Sequence, residues 1–241
     1  MVEAVGTVPS TVVLWIGAFA MILGTLVYLW LGRNVAVYEQ NFFIMAISIT
    51  VIAATAYLAM AFGMGRIAVN GEEIVVARYL DWILTTPLIL TLLGVLANAN
   101  RSLIATLIGV NLYMIVVGFL GAIADSLFVT LVWWALGVVA YLVLLYLLLG
   151  VLSDAVEEMP DDVSGMFVVL RNLTVVIWSI YPVVWILGGN AFGVLPVLFE
   201  QSGFVLLDIL AKVVFGYVLL SSHETLRVYS FYGAERQSTA D

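Results

Sequence analysis

The sequence predicts an all-α fold, a bundle of seven membrane-spanning helices. Three observations predict it: 64% of the 241 residues are hydrophobic, only 10% are charged, and long apolar runs recur from one end to the other. A soluble domain is roughly 25% charged. A run of about twenty apolar residues is long enough to cross a hydrocarbon layer as a helix, so lipid is the main solvent of this chain.

Apolar runs bounded by Gly, Asn, Asp and charge place the helices. The first, near 11–32, ends at Gly32 and Arg33; the second, near 42–65, follows Glu39 and stops before Arg66. The third, near 74–97, follows Glu72 and Glu73 and ends before Asn98; the fourth, near 102–124, lies between Arg101 and Asp125. The fifth, near 126–153, runs up to the longest polar stretch, 153–165, with Asp154, Glu157, Glu158, Pro160, Asp161 and Asp162. The sixth, near 165–188, ends at Gly188 and Gly189, and the seventh, near 203–225, ends before Arg227. One domain is expected over 1–241, in the cell membrane.

Orientation follows from the basic residues. Arg33, Arg101, Arg171, Arg227 and Arg236 fall on the side of the C-terminus and only Arg66 in a loop opposite, which puts the N-terminus outside and the C-terminus in the cytoplasm. Glu3 without a basic cluster is not the layout of a cleavable signal peptide. The chain has no cysteine and one histidine, His223. Thiolate metal sites, disulfides and a Ser/His/Asp triad are therefore disfavoured, and no enzyme is expected. A net charge of −8 with nothing basic to track phosphates argues against nucleic acid. No repeat of transporter type is visible.

Against this inert background, four charged residues stand within spans: Arg78 and Asp81 on the third helix, Asp208 and Lys212 on the seventh. Each costs ~2.5 kcal/mol or more at mid-helix, which makes it a functional candidate. Lys212 is the chain's one lysine. It lies one turn from Asp208, about 6 Å along the axis, and Arg78, Asp81 and Thr85 share a face of the third helix. If the two faces meet, two carboxylates, a guanidinium and an amine cancel in one pocket. The blander alternatives are interhelical salt bridges that lock the bundle and, for Arg78, snorkelling to the interface.

An amine in an apolar pocket loses its proton readily and condenses with an aldehyde to a Schiff base. The aromatic residues suit a long flat ligand: Trp178, Tyr181 and Trp185 form a stripe beside Pro182, Tyr79 and Trp82 flank Asp81, and Trp133 and Trp134 sit in the fifth span. Pro87 removes a backbone donor in the third helix, beside the hydroxyls of Thr85 and Thr86.

Three segments resemble helices three, six and seven of haloarchaeal rhodopsins. They are Arg-Tyr-Leu-Asp-Trp-Ile-Leu-Thr-Thr-Pro at 78–87, Trp-Ser-Ile-Tyr-Pro-Val-Val-Trp at 178–185 and Leu-Asp-Ile-Leu-Ala-Lys at 207–212. The resemblance covers essentially all seven spans. It implies all-trans retinal on Lys212 as a protonated Schiff base, with Asp81 as primary counter-ion and proton acceptor and Asp208 as second counter-ion. It further implies that Tyr57 and Tyr181 hydrogen-bond Asp208, and that Trp82 and Trp178 sandwich the polyene. Trp134 and Tyr181 would line the ring end, with Thr85, Thr86, Met114 and Gly118 around the remainder.

Within that family, chloride pumps carry threonine at the place of Asp81, and proton pumps carry a carboxylic acid at the place of Leu92. The pumps' two outer glutamates correspond to Asn190 and Glu200. Sensory rhodopsin II shares Arg-Asn-Leu-Thr-Val at 171–175, but has threonine at the place of Ala211 and tyrosine at the place of Leu206. The resemblance is therefore strongest to sensory or middle rhodopsins, with bacteriorhodopsin next. It implies a light sensor signalling to a membrane transducer in phototaxis, or alternatively a slow outward proton pump. Membrane lipid and a transducer are the implied partners, with a homo-oligomer left open.

Overall fold

The computed structural model describes residues 8–37, 39–69, 71–157 and 159–229. Glu3, Glu158 and Arg236, used above, lie outside them. Among the described residues, seven helices are long and apolar enough to cross a membrane. They are α1 (Val8–Leu31), α2 (Gln40–Ala61), α3 (Val76–Leu96), α4 (Arg101–Ala122), α5 (Leu127–Val156), α6 (Asp161–Leu187) and α7 (Val197–Ser221). Short connections force neighbours to run antiparallel. Each helix packs on the next in order, and α7 returns to α1 and closes the ring.

The fold is not purely helical. Between α2 and α3, β1 (Arg66–Val69) and β2 (Glu72–Val75) form an antiparallel hairpin in the register Arg66 to Val75 and Ile67 to Ile74. Gly71 takes φ 86° in its turn, a left-handed conformation natural to glycine. The second helix ends at Ala61, four residues before the expected 65, and β2 takes the first two residues expected of the third helix, 74 and 75. The hairpin marks one end of the bundle, the hairpin end; the chain leaves from the other, the C-terminal end.

The start of α7 also departs from the sequence expectation, at Val197 and not near 203. Pro196, at φ −55°, is pre-set for the helix, and Glu200 in the first turn suits the positive end of the helix dipole. The seventh span ends at Ser221, and residues 223–229 form a separate helical stretch. Helix ends are otherwise chemically marked. Asn100 caps α4 by accepting from the Leu103 amide at 2.8 Å, and Asn98 terminates α3 at φ 51°.

Two helices contain a π-helical turn, Leu147–Val151 in α5 and Ile209–Val214 in α7. The second carries Lys212. One buried cluster, including Tyr28, Phe43, Leu92, Leu93, Phe215 and Leu219, fills the C-terminal half of the bundle. Another joins Ile74 of the hairpin to Tyr79, Trp185 and Phe204, so the hairpin closes the opposite end.

Candidate functional site

Lys212 is the centre of the site. Its Nζ forms an ion pair with Asp81 Oδ2 and lies 3.3 Å from Asp208 Oδ2, and all three side chains are at most 1% exposed. The two charged faces inferred from spacing therefore do meet. Burying an ion costs several kcal/mol unless pairing and hydrogen bonds offset it, and here the two carboxylates are supplied differently. Asp208 accepts from Tyr57 Oη at 2.7 Å, from Tyr181 Oη and from Trp82 Nε1 at 3.4 Å. Among the described residues, Asp81 has, besides Lys212, only Thr85 Oγ1 at 3.4 Å from Oδ1.

Arg78 does not close the cluster by a direct ion pair. Among the described residues it donates to Gln201 Oε1 at 2.5 Å and lies over the Phe204 ring, 4.3 Å from its centroid. A helical side chain leans toward the helix N-terminus, so Arg78, three residues before Asp81, points to the hairpin end. It is buried and does not snorkel. Its Nε has no partner among the described residues.

A cavity opens beside Lys212 and Asp208. Trp82, Thr86, Met114, Gly118 and Trp134 line it, as do Trp178, Tyr181 and Trp185. Thr85 does not: its hydroxyl turns back to the Asp81 carbonyl at 2.8 Å, the local bond that helical threonines favour. Tyr57 and Asp81 stand behind the wall and reach the site through Asp208 and Lys212.

The indole N–H groups of Trp134 and Trp185 are spent on protein. Trp134 Nε1 donates to the Pro182 carbonyl at 3.1 Å, and Trp185 Nε1 to Tyr79 Oη at 2.7 Å. Their π-faces are thereby left for an apolar neighbour. Trp82 meets Tyr181 edge-on at 5.4 Å. One wall, between α5 and α6, is tied by Tyr141, whose hydroxyl is 3.0 Å from the Val175 carbonyl and 2.7 Å from Ser179 Oγ.

Three participants were not apparent from charge alone. Gln201 lies seven residues before Asp208 on one face, a spacing that marks it once amides are counted with charges. Asn111, fully buried in α4, donates to Thr86 Oγ1 at 2.6 Å. Tyr28 of α1 reaches the backbone of α7 and has no sequence signal.

The comparisons with known proteins agree on one family. Residues 8–226 match the model of the bacteriorhodopsin-like proteins. A bacteriorhodopsin from Haloterrigena sp. (strain arg-4) is 45% identical over 224 residues, covering 90% of each chain. Sensory rhodopsin-2 from Natronomonas pharaonis is 36% identical over 217 residues, again 90% of each. The thermophilic rhodopsin from Rubrobacter xylanophilus superposes with TM-score 0.88 at 37% identity, covering 91% of this chain and 98% of that one.

Proteins of this family are light-driven pumps and sensors that bind retinal through a Schiff base to a lysine. The residues here fit that group. The cavity has an amine and its counter-charge on one wall and aromatic faces elsewhere, and at Gly118 a Cβ would meet nothing within 4 Å. On sequence, fold and site chemistry together, this chain belongs to the bacteriorhodopsin-like family of microbial rhodopsins.

Proposed function

We propose that this chain is a sensory photoreceptor that carries all-trans retinal on Lys212 and signals to a transducer in the same membrane, with its N-terminus outside and its C-terminus in the cytoplasm. The observation that carries the reading is the chemistry of the C-terminal half. Residues 20–31, 40–50, 88–96, 102–112, 138–153, 163–177 and 213–221 contain no Asp, Glu, His or Lys. Leu92, where a pump holds its acid, is 1% exposed in an apolar cluster. Arg171 is the charge in those ranges, and a guanidinium does not give up its proton.

Retinal, when bound, supplies a light-driven isomerisation beside a protonated nitrogen. What the chain supplies is a place for the proton. Protonating Asp208 would weaken three hydrogen bonds from Tyr57, Tyr181 and Trp82, whereas Asp81 has one long bond from Thr85 to lose. Asp81 is therefore the acceptor and Asp208 the fixed counter-charge. Trp82, Thr86, Met114, Gly118, Trp134, Trp178, Tyr181 and Trp185 hold the ligand. With no acid in those stretches of the spans on the C-terminal side of Lys212, return of the proton is slow, and the activated state lasts long enough to report.

A second reading, a slow outward proton pump, is favoured by the identities themselves, 45% to the bacteriorhodopsin against 36% to the sensory rhodopsin. Reconstitution with retinal tests both: a visible band is expected and should be lost in Lys212→Ala. A band that survives Lys212→Ala ends both readings. Flash recovery then separates them. Recovery slower than milliseconds and accelerated by azide is the sensor's behaviour; recovery within milliseconds without azide, with sustained acidification outside cells, is the pump's.

A further inference from the structure

Lys212 hangs from a backbone that is not α-helical. In the turn Ile209–Val214 the hydrogen bonds widen, and the amide of Phe215 is shared between the carbonyls of Leu210 and Lys212. A π-turn takes a carbonyl out of the α-ladder. Inside a membrane bundle that carbonyl must find another donor, a bound water or a side chain.

Here the donor is a phenol from the neighbouring helix, across the seam that closes the ring. Tyr28 of α1 is completely buried. Its hydroxyl donates to the Val213 carbonyl and lies 3.1 Å from the Lys212 carbonyl. One hydroxyl thus meets two successive carbonyls of the widened turn, the place a water or side chain takes where an α-ladder opens. The fit requires Gly216, where a Cβ would stand 2.5 Å from Tyr28 Oη and 2.7 Å from Cζ. The nearby hydroxyls of α1 and α2 are otherwise engaged. Thr25 donates to the Met21 carbonyl or to Thr50 Oγ1, and Thr50 to the Ile47 carbonyl.

We propose that Tyr28 is a positioning residue for Lys212: its phenol occupies the hydration site of the π-turn, fixes the lysine's backbone and keeps the region on its C-terminal side dry. The photochemical consequence rests on the retinal reading above; the structural claim does not. Dryness matters because water is the remaining carrier able to bring a proton through a region without acids.

Two variants test it. Tyr28→Phe removes the hydroxyl alone, and Gly216→Ala displaces it while leaving it on the ring. In the retinal-free protein both should raise hydrogen exchange of the 213–218 amides several-fold to about tenfold, the scale of one net hydrogen bond, with exchange in α4 unchanged. Unchanged exchange at 213–218 in both variants overturns the positioning role. In retinal-loaded Tyr28→Phe, flash recovery should be several-fold faster, with a new water O–H stretch in the infrared difference spectrum. Wild-type recovery rates without a new water band overturn the claim of dryness. Failure of the wild-type chain to form a visible band would instead strike the retinal reading and leave the exchange result standing.

Discussion

The two halves of this bundle meet at Lys212 and could hardly differ more. Toward the hairpin end lie Asp81, Asp208, Arg78, Gln201 and Glu200, all buried, and each carboxylate has a hydrogen-bond partner, down to the Gly189 amide that donates to Glu200 at 3.0 Å. Toward the C-terminal end the space is filled by Leu92, Leu93, Phe43, Phe215 and Leu219. On the proposed reading, a proton leaving Lys212 has an acceptor on one side and, on the other, spans without an acid.

That comparison can be broken from either half. The largest effect is expected from Asp81→Asn, which removes the acceptor: light-driven proton transfer should be lost, and the pigment should shift to the red because a counter-charge that favours the ground state is gone. Absorption spectroscopy checks it, and a blue shift would show that Asp81 is not the counter-ion. Leu92→Asp places an acid in the dry half and should speed flash recovery by about a hundredfold, the scale of a well-placed general acid, while reducing the effect of azide. An unchanged rate would mean that the absence of an acid there does not set the lifetime.

Smaller changes sharpen the contrast between bonds that serve the charges and bonds that hold helices. Tyr57→Phe removes one of the donors to buried Asp208 and should cost about 1–3 kcal/mol, read from thermal bleaching. Thr130→Val cuts the 3.1 Å bond from its hydroxyl to the Gly121 carbonyl, which ties α5 to α4 with neither partner charged. A typical interhelical bond in a membrane is worth about 0.6 kcal/mol, so the same assay should barely register it.

What the sequence makes legible is the charged half. Four ionisable residues in an apolar chain announce themselves, and their helical spacing already joins Asp208 to Lys212. The hairpin is legible as well: Asn70 followed by Gly71, between Ile67, Val69, Ile74 and Val75, is a strong turn signal, masked by the helical runs on either side. The start of α7 is hidden because Glu200 and Gln201 read as loop until their burial is known. The π-turn and Tyr28 leave no trace, since no residue pattern encodes a widened turn and a tyrosine in a membrane helix has many ordinary uses. Arg78 shows the limit of spacing: it shares a face with Asp81, yet the lean of its side chain sends it to Gln201.

The bonds between α5 and α6 have a mechanical meaning. Tyr141 holds the Val175 carbonyl and Ser179, and Trp134 holds the Pro182 carbonyl, so α6 is fastened along one edge near the proline that interrupts its own ladder. A further bond, from Arg171 to Ser153 Oγ, ties the same two helices nearer the C-terminal end. From Asp161 to Pro182 the helix is about 30 Å long, so a bend of about 5° at the proline would carry its far end ~2.6 Å, and the bonds to α5 are what such a bend would have to break.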